Sequence, residues 1–160
     1  MKKRVFVLVL LLFLVGIFSL TISFDGFFFT TKFYEDPLRA YNAGATYNAI
    51  YGDTHAEREV GVVKIDEEKA LFIGELSNDC FIVAGMNIKN EKYAFDGTKS
   101  IFEYSNERDV NAYKQTKTKS GYVKWTIACD KKSTEELVGV KTIMEYTLSD
   151  GRPLLLIVFD

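Results

Sequence analysis

Hydrophobic and polar positions divide the chain into two unequal parts. Val5 to Phe24 carries no charged residue and follows the basic tip Met1-Lys2-Lys3-Arg4. As a helix, a run of about twenty residues reaches about 30 Å, the thickness of a bilayer hydrocarbon core. The apolar stretch of a secretory signal is shorter, roughly 7 to 15 residues, and ends at small residues placed for cleavage. Only Ser19 and Thr21 offer such a pair here, and they make a poor one. The pattern therefore predicts an uncleaved membrane helix, with Val5, Leu12, Phe18 and Phe24 spaced along it. A cleaved signal peptide over residues 1–24 is the alternative. With the basic tip held in the cytoplasm, the rest of the chain is expected outside, as a single-pass protein of the cell membrane, or as a secreted protein after cleavage. Residues 25–35, with Phe27-Phe28-Phe29 and Phe33-Tyr34, read as a juxtamembrane linker, and 36–160 as one extracytoplasmic domain.

Within that domain the period changes from helix to strand. Asp36-Pro37 is a helix start, with an N-cap acceptor followed by a proline at the first helical position. Leu38, Tyr41, Ala45 and Ala49 then recur at spacings of three and four, which predicts a helix over 37–50. Strand patterns follow in "EREVGVVKI", "ALFIGEL", "CFIVAGMNI", "YAFDGTKSIFEY", "YVKWTIAC", "VKTIMEYTL" and "PLLLIVF". Asp96-Gly97 and Ser149-Asp150-Gly151-Arg152 read as hairpin turns. Leu154 to Phe159 is apolar on both faces, so it should be a central or doubly covered strand. Residues 105–120 read as a short helix and loop, or as one long hairpin connection. Ser133-Thr134-Glu135-Glu136 has the form of a capping box and predicts one helical turn. The expected fold is α+β: one helix on a mostly antiparallel meander of roughly six to eight strands, with a small all-β barrel as the alternative.

Composition adds charge and sulfur to this picture. Lys2, Lys3 and Arg4 precede the domain, which leaves 17 basic residues against 22 acidic ones and a formal net charge of −5. An acidic domain argues against nucleic acid as a partner, since that function wants a strongly basic face. The two cysteines, Cys80 and Cys129, are expected to pair as a disulfide in an exported protein, with two separate buried thiols as the alternative.

Catalytic patterns are sparse in the chain. His55 is the sole histidine, and His55, Glu57 and Glu59 would share a face if extended, a weak pattern for a metal. A polar loop with an exposed imidazole is the plainer reading. A thiol–imidazole pair would need an accessible, acidified cysteine, whereas both cysteines border apolar strand runs. Glu75, Glu103 and Glu145 lie in strand-like runs and are expected on solvent faces. Gly-rich phosphate loops, His-Glu-x-x-His, Cys-x-x-Cys and Gly-x-Ser-x-Gly do not occur. No cofactor or metal is expected.

The most informative polar stretch is "YKQTKTKSGYVKW". Lys114, Lys117, Lys119 and Lys124 are interleaved there with Tyr113, Tyr122 and Trp125. Such a segment suits anionic lipid headgroups, an anionic envelope polymer or an envelope protein. A solvated hairpin whose lysines protect an edge is the competing reading, and Trp125, in phase with Val123 and Ile127, should face the core. The expectation is a membrane-tethered extracytoplasmic binding or interaction domain without catalytic activity. The alternative is a small cell-envelope hydrolase using acidic residues or a Cys–His pair.

Overall fold

A computed structural model describes residues 32–45, 52–77, 79–104, 113–129, 134 and 137–160. The expected membrane helix, with Val5, Leu12, Phe18 and Phe24, lies outside the described residues. Among those described, no helix is long and apolar enough to cross a membrane. Lys32–Asp160 form one compact unit.

Among the described residues that unit contains one short helix and eight strands, in two four-stranded antiparallel sheets. Helix α1 spans Pro37–Asn42. The first sheet is a meander of β1 (Arg58–Lys64), β2 (Lys69–Glu75), β3 (Cys80–Lys89) and β4 (Lys92–Glu103). The second holds β5 (Lys114–Thr118), β6 (Gly121–Ala128), β7 (Val140–Thr147) and β8 (Pro153–Phe159), in the order β5-β6-β8-β7. The antiparallel character agrees with the sequence, but the single meander does not. A second sheet forms because β8, apolar on both faces, inserts between β6 and β7 and pairs antiparallel with each. The barrel alternative would need one continuous sheet.

The two sheets share a core. Leu71, Ile73, Phe81, Val83 and Phe102 from the first pack with Trp125, Ile127, Leu154, Leu156 and Val158 from the second. Residues one position away along β2 and β3 face the other side: Ala70, Phe72, Ile82, Ala84 and Met86 pack with Ala40 and Tyr41 of α1. Both faces of the first sheet are thus covered, which explains why β2 and β3 read as continuous apolar runs. On the outer side of the second sheet Ala128, Leu155, Ile157 and Phe159 form a third cluster, with Leu137 and Val140 packed against it.

Asp36 caps α1 as expected, its carboxylate accepting from the N–H groups of Leu38 and Arg39 at 2.9 and 3.3 Å. The helix ends at Asn42, well short of the predicted residue 50, and residues 46–51 lie outside the described ones. Gly44 lies in the turn that follows, against the Phe95 ring with no room for a Cβ. Tyr41 stacks on Phe72 with centroids 5.1 Å apart, and its hydroxyl donates to Thr54 O at 2.7 Å. The Asn42 amide donates to Ala56 O and accepts from Ala56 N, which ties the chain leading into β1 to the helix.

Three further expectations are corrected. Asp96-Gly97 is not a hairpin turn: it lies inside β4, where the register with β3 shifts between Ala84 and Met86. The β3–β4 turn is Asn90-Glu91, with φ of 50° and 59°, the left-handed pair of a type I′ hairpin. Gly97, at φ 90°, supplies the bulge, and the Asp96 carboxylate folds over Gly85 to accept from Thr98 N and the Lys69 ammonium at 2.9 and 3.0 Å. Within 105–120, Lys114–Thr118 is a strand, and residues 105–112 lie outside the described ones. Finally, Cys80 and Cys129 are both buried and are not joined as a disulfide. The physical reason is strand phase: Cys80 faces the helix side with Ile82 and Ala84, whereas Cys129 faces the inter-sheet core with Ile127.

Thr134 has 3₁₀ geometry, and its carbonyl accepts from Leu137 N at 3.3 Å. Ser133, Glu135 and Glu136 of the predicted capping box lie outside the described residues.

Candidate binding face

Strand alternation sorts the lysine–tyrosine segment into two faces. On β5, Thr116 and Thr118 are buried against the core, and Lys114 lies half-buried on their side. Trp125 Nε1 donates to Thr116 Oγ1 at 3.0 Å, so the indole is a core residue with its polar atom satisfied, as its phase predicts. The outer face of the β5–β6 hairpin carries Tyr113, Gln115 and Lys117 from one strand and Tyr122 and Lys124 from the other. Cross-strand partners are Gln115 with Lys124 and Lys117 with Tyr122.

None of these five positions is acidic, although the domain as a whole is. The Lys124 ammonium sits 3.7 Å from the centre of the Tyr113 ring, and Tyr113 meets Phe159 edge-on at 5.1 Å. Lys124 is thereby held over an aromatic ring, a contact of about 0.5–1 kcal/mol at an exposed site. Tyr122 is 68% exposed and Tyr113 48%, two of the four large hydrophobic side chains exposed among the described residues.

The four lysines singled out by sequence therefore do not act as one set. Lys117 and Lys124 share the outer face, and Lys114 points to the other side. Lys119 belongs to the hairpin turn, where its ammonium pairs with Glu68 at 3.0 Å and its N–H donates to Asp66 at 3.3 Å. The Glu68 carboxylate raises the Lys119 pKa. A cleft of about 250 Å³ opens beside that turn, lined by Asp66, Glu67, Glu68, Lys119 and Ser120. Burial works to raise the Asp66 pKa, but the N–H groups of Glu68, Lys119 and Lys69 outweigh it and hold it below the ordinary carboxylate range. The run Asp66-Glu67-Glu68 was visible in the sequence, but its meeting with Lys119 depends on the two sheets lying together.

The other candidates disperse. His55 is exposed, and Asp53, rather than Glu57 or Glu59, engages its ring. Burial, with Asp36 nearby, raises the Glu59 pKa. Among the described residues no three His, Cys, Asp or Glu converge as metal ligands. Burial, followed by Glu103 and Asp79, pushes the Cys80 thiol up, away from thiolate chemistry. Glu103 and Glu145 are exposed.

Glu75 alone of the three strand glutamates is enclosed, and it works as a clasp between the sheets. It takes a two-point ion pair from Arg58 at 2.9 and 3.1 Å and the Ser149 N–H at 2.6 Å, while Arg58 reaches Thr147 O at 3.3 Å. The Arg58 guanidinium lowers the Glu75 pKa; burial opposes this and the Ser149 bonds add to it. Comparison of the chain with family models, curated proteins and solved structures finds no match.

Proposed function

We propose that this chain is a membrane-tethered extracytoplasmic binding domain, without catalytic activity, that contacts an anionic partner through the outer face of the β5–β6 hairpin. One observation carries the reading: a solvent-facing surface with Lys117, Lys124, Tyr113 and Tyr122 and no acidic position, on a domain of net charge −5. Segregated charge of this kind attracts an oppositely charged partner to one face of the molecule. The uncharged, largely apolar run from Val5 to Phe24 supports the tether. The buried, deacidified Cys80 and the clasped Glu75 weigh against the hydrolase alternative.

The test is retention of the detergent-solubilised full-length protein on phosphocellulose at neutral pH. The wild type is expected to be held despite its net negative charge and to elute with salt. Lys117→Glu combined with Lys124→Glu is expected to flow through. Equal retention of the two proteins overturns the reading.

A further inference from the structure

The shape of the face and the charges around it narrow the partner. Tyr113, Gln115 and Lys117 follow one another along the outer side of β5, so the line from Tyr113 to Lys117 is about 13 Å long at 3.3 Å per residue. Lys124 lies opposite Gln115, which makes Lys117 and Lys124 diagonal neighbours about 7–8 Å apart at the backbone. The cations and rings therefore form a narrow track rather than a broad patch.

Acidic groups border the track. Asp66, Glu67 and Glu68 stand beside the turn at its end, and Glu145, paired with Leu155 in the register of β7 with β8, lies on the same outer side of the second sheet. A flat anionic bilayer pressed against the outer side would meet Glu145 together with the lysines. The hairpin tip, Lys119-Ser120-Gly121, offers no apolar side chain for insertion, and Lys119 is held back by Glu68. A slender ligand lying along the strands would avoid both obstacles.

We infer that the outer face of the β5–β6 hairpin is a docking track for an extended soluble polyanion, with phosphates repeating along a sugar or polyol backbone. Lys117 and Lys124 pair with successive charges, as ammonium groups do with phosphate. Tyr122 packs against the carbon backbone between them, and Gln115 supplies a neutral hydrogen-bonding group. This assignment rests on the binding face proposed above and adds the class of ligand.

The test uses the full-length protein in nanodiscs of zwitterionic lipid, titrated with poly(glycerol phosphate), with dextran as the uncharged control. Vesicles containing phosphatidylglycerol form a separate arm. Saturable binding to poly(glycerol phosphate) that weakens with salt, and none to dextran, is expected. Lys117→Gln combined with Lys124→Gln should weaken it roughly thirtyfold, from about fivefold per cation. Tyr122→Ala should weaken it further, and Lys141→Gln, on the exposed part of β7, should not. Unchanged affinity in the double variant overturns the inference. Binding to vesicles but not to the polymer also overturns it and leaves the anion-binding face standing, and binding to neither removes both.

Discussion

Gly61 shows how a single residue couples the two sheets. It lies in β1 against the Tyr146 ring of β7, and a Cβ built there would clash with the Cε1 edge of that ring. Overpacking of this kind costs about 1–3 kcal/mol. Gly61→Ala should lower the urea midpoint of the full-length protein accordingly. In a Tyr146→Ala background the same change should cost markedly less, and that non-additivity is what marks a contact rather than a backbone effect. Trp125, Asp36 and Tyr41 were legible at this scale because their roles follow from phase or from a cap. Gly61 was not, since its neighbour is 85 residues away and in another sheet. The cysteine pairing failed for a related reason: an even count says that two thiols exist, but strand phase and sheet placement decide which way each points.

At the scale of elements, every described strand except the polar β5 grew from a segment that alternates or is largely apolar, and the turns were the least legible part. Asp96-Gly97 has the composition of a hairpin, yet β4 runs through it, because Asp96 finds Lys69 and Thr98 as partners within the sheet. The hairpin falls instead at Asn90-Glu91, where a glutamate holds φ 59°. Left-handed backbone costs a non-glycine residue about 1–2 kcal/mol, part of which returns through the greater freedom of glycine in the unfolded chain. Glu91→Gly should therefore stabilise the protein by about 0.5–1 kcal/mol, whereas Gly97→Ala should destabilise it by a similar or larger amount. Urea midpoints of the two variants, moving in opposite directions, would check the assignment of turn and bulge.

Across the whole molecule, polar clasps at the ends of the strands join sheets whose core is apolar. Arg58 and Glu75 reach Thr147 and Ser149, and Arg152 reaches Asp79 at 2.5 Å and lies 4.1 Å from the centre of the Tyr104 ring. The Glu75 pKa lies below its ordinary value of 4.5 in the folded protein, with Arg58 the first cause. Its contribution is therefore fully present above about pH 4.5, and is lost as the pH falls through the lower folded value. Glu75→Gln should cost about 1.5–3 kcal/mol at neutral pH, the range for charge-assisted hydrogen bonds. The gap from wild type should close on acidification below about pH 4.5, as followed by urea midpoints across pH. A gap that persists at low pH would assign the loss to packing instead.

The sequence by itself determined the membrane-compatible run, the capped start of α1, the apolar strands, the core position of Trp125 and the doubly buried nature of β8. Those properties are local: they depend on spacing, residue type and a few neighbours along the chain. The tertiary structure alone decided that the strands divide into two sheets, that Cys80 and Cys129 lie in separate clusters, and that Lys117 and Lys124 share a face while Lys114 and Lys119 do not. Each of these depends on which strands become neighbours and on which side of a sheet a residue falls. A one-residue shift in register reverses that side, and no count along the chain records it.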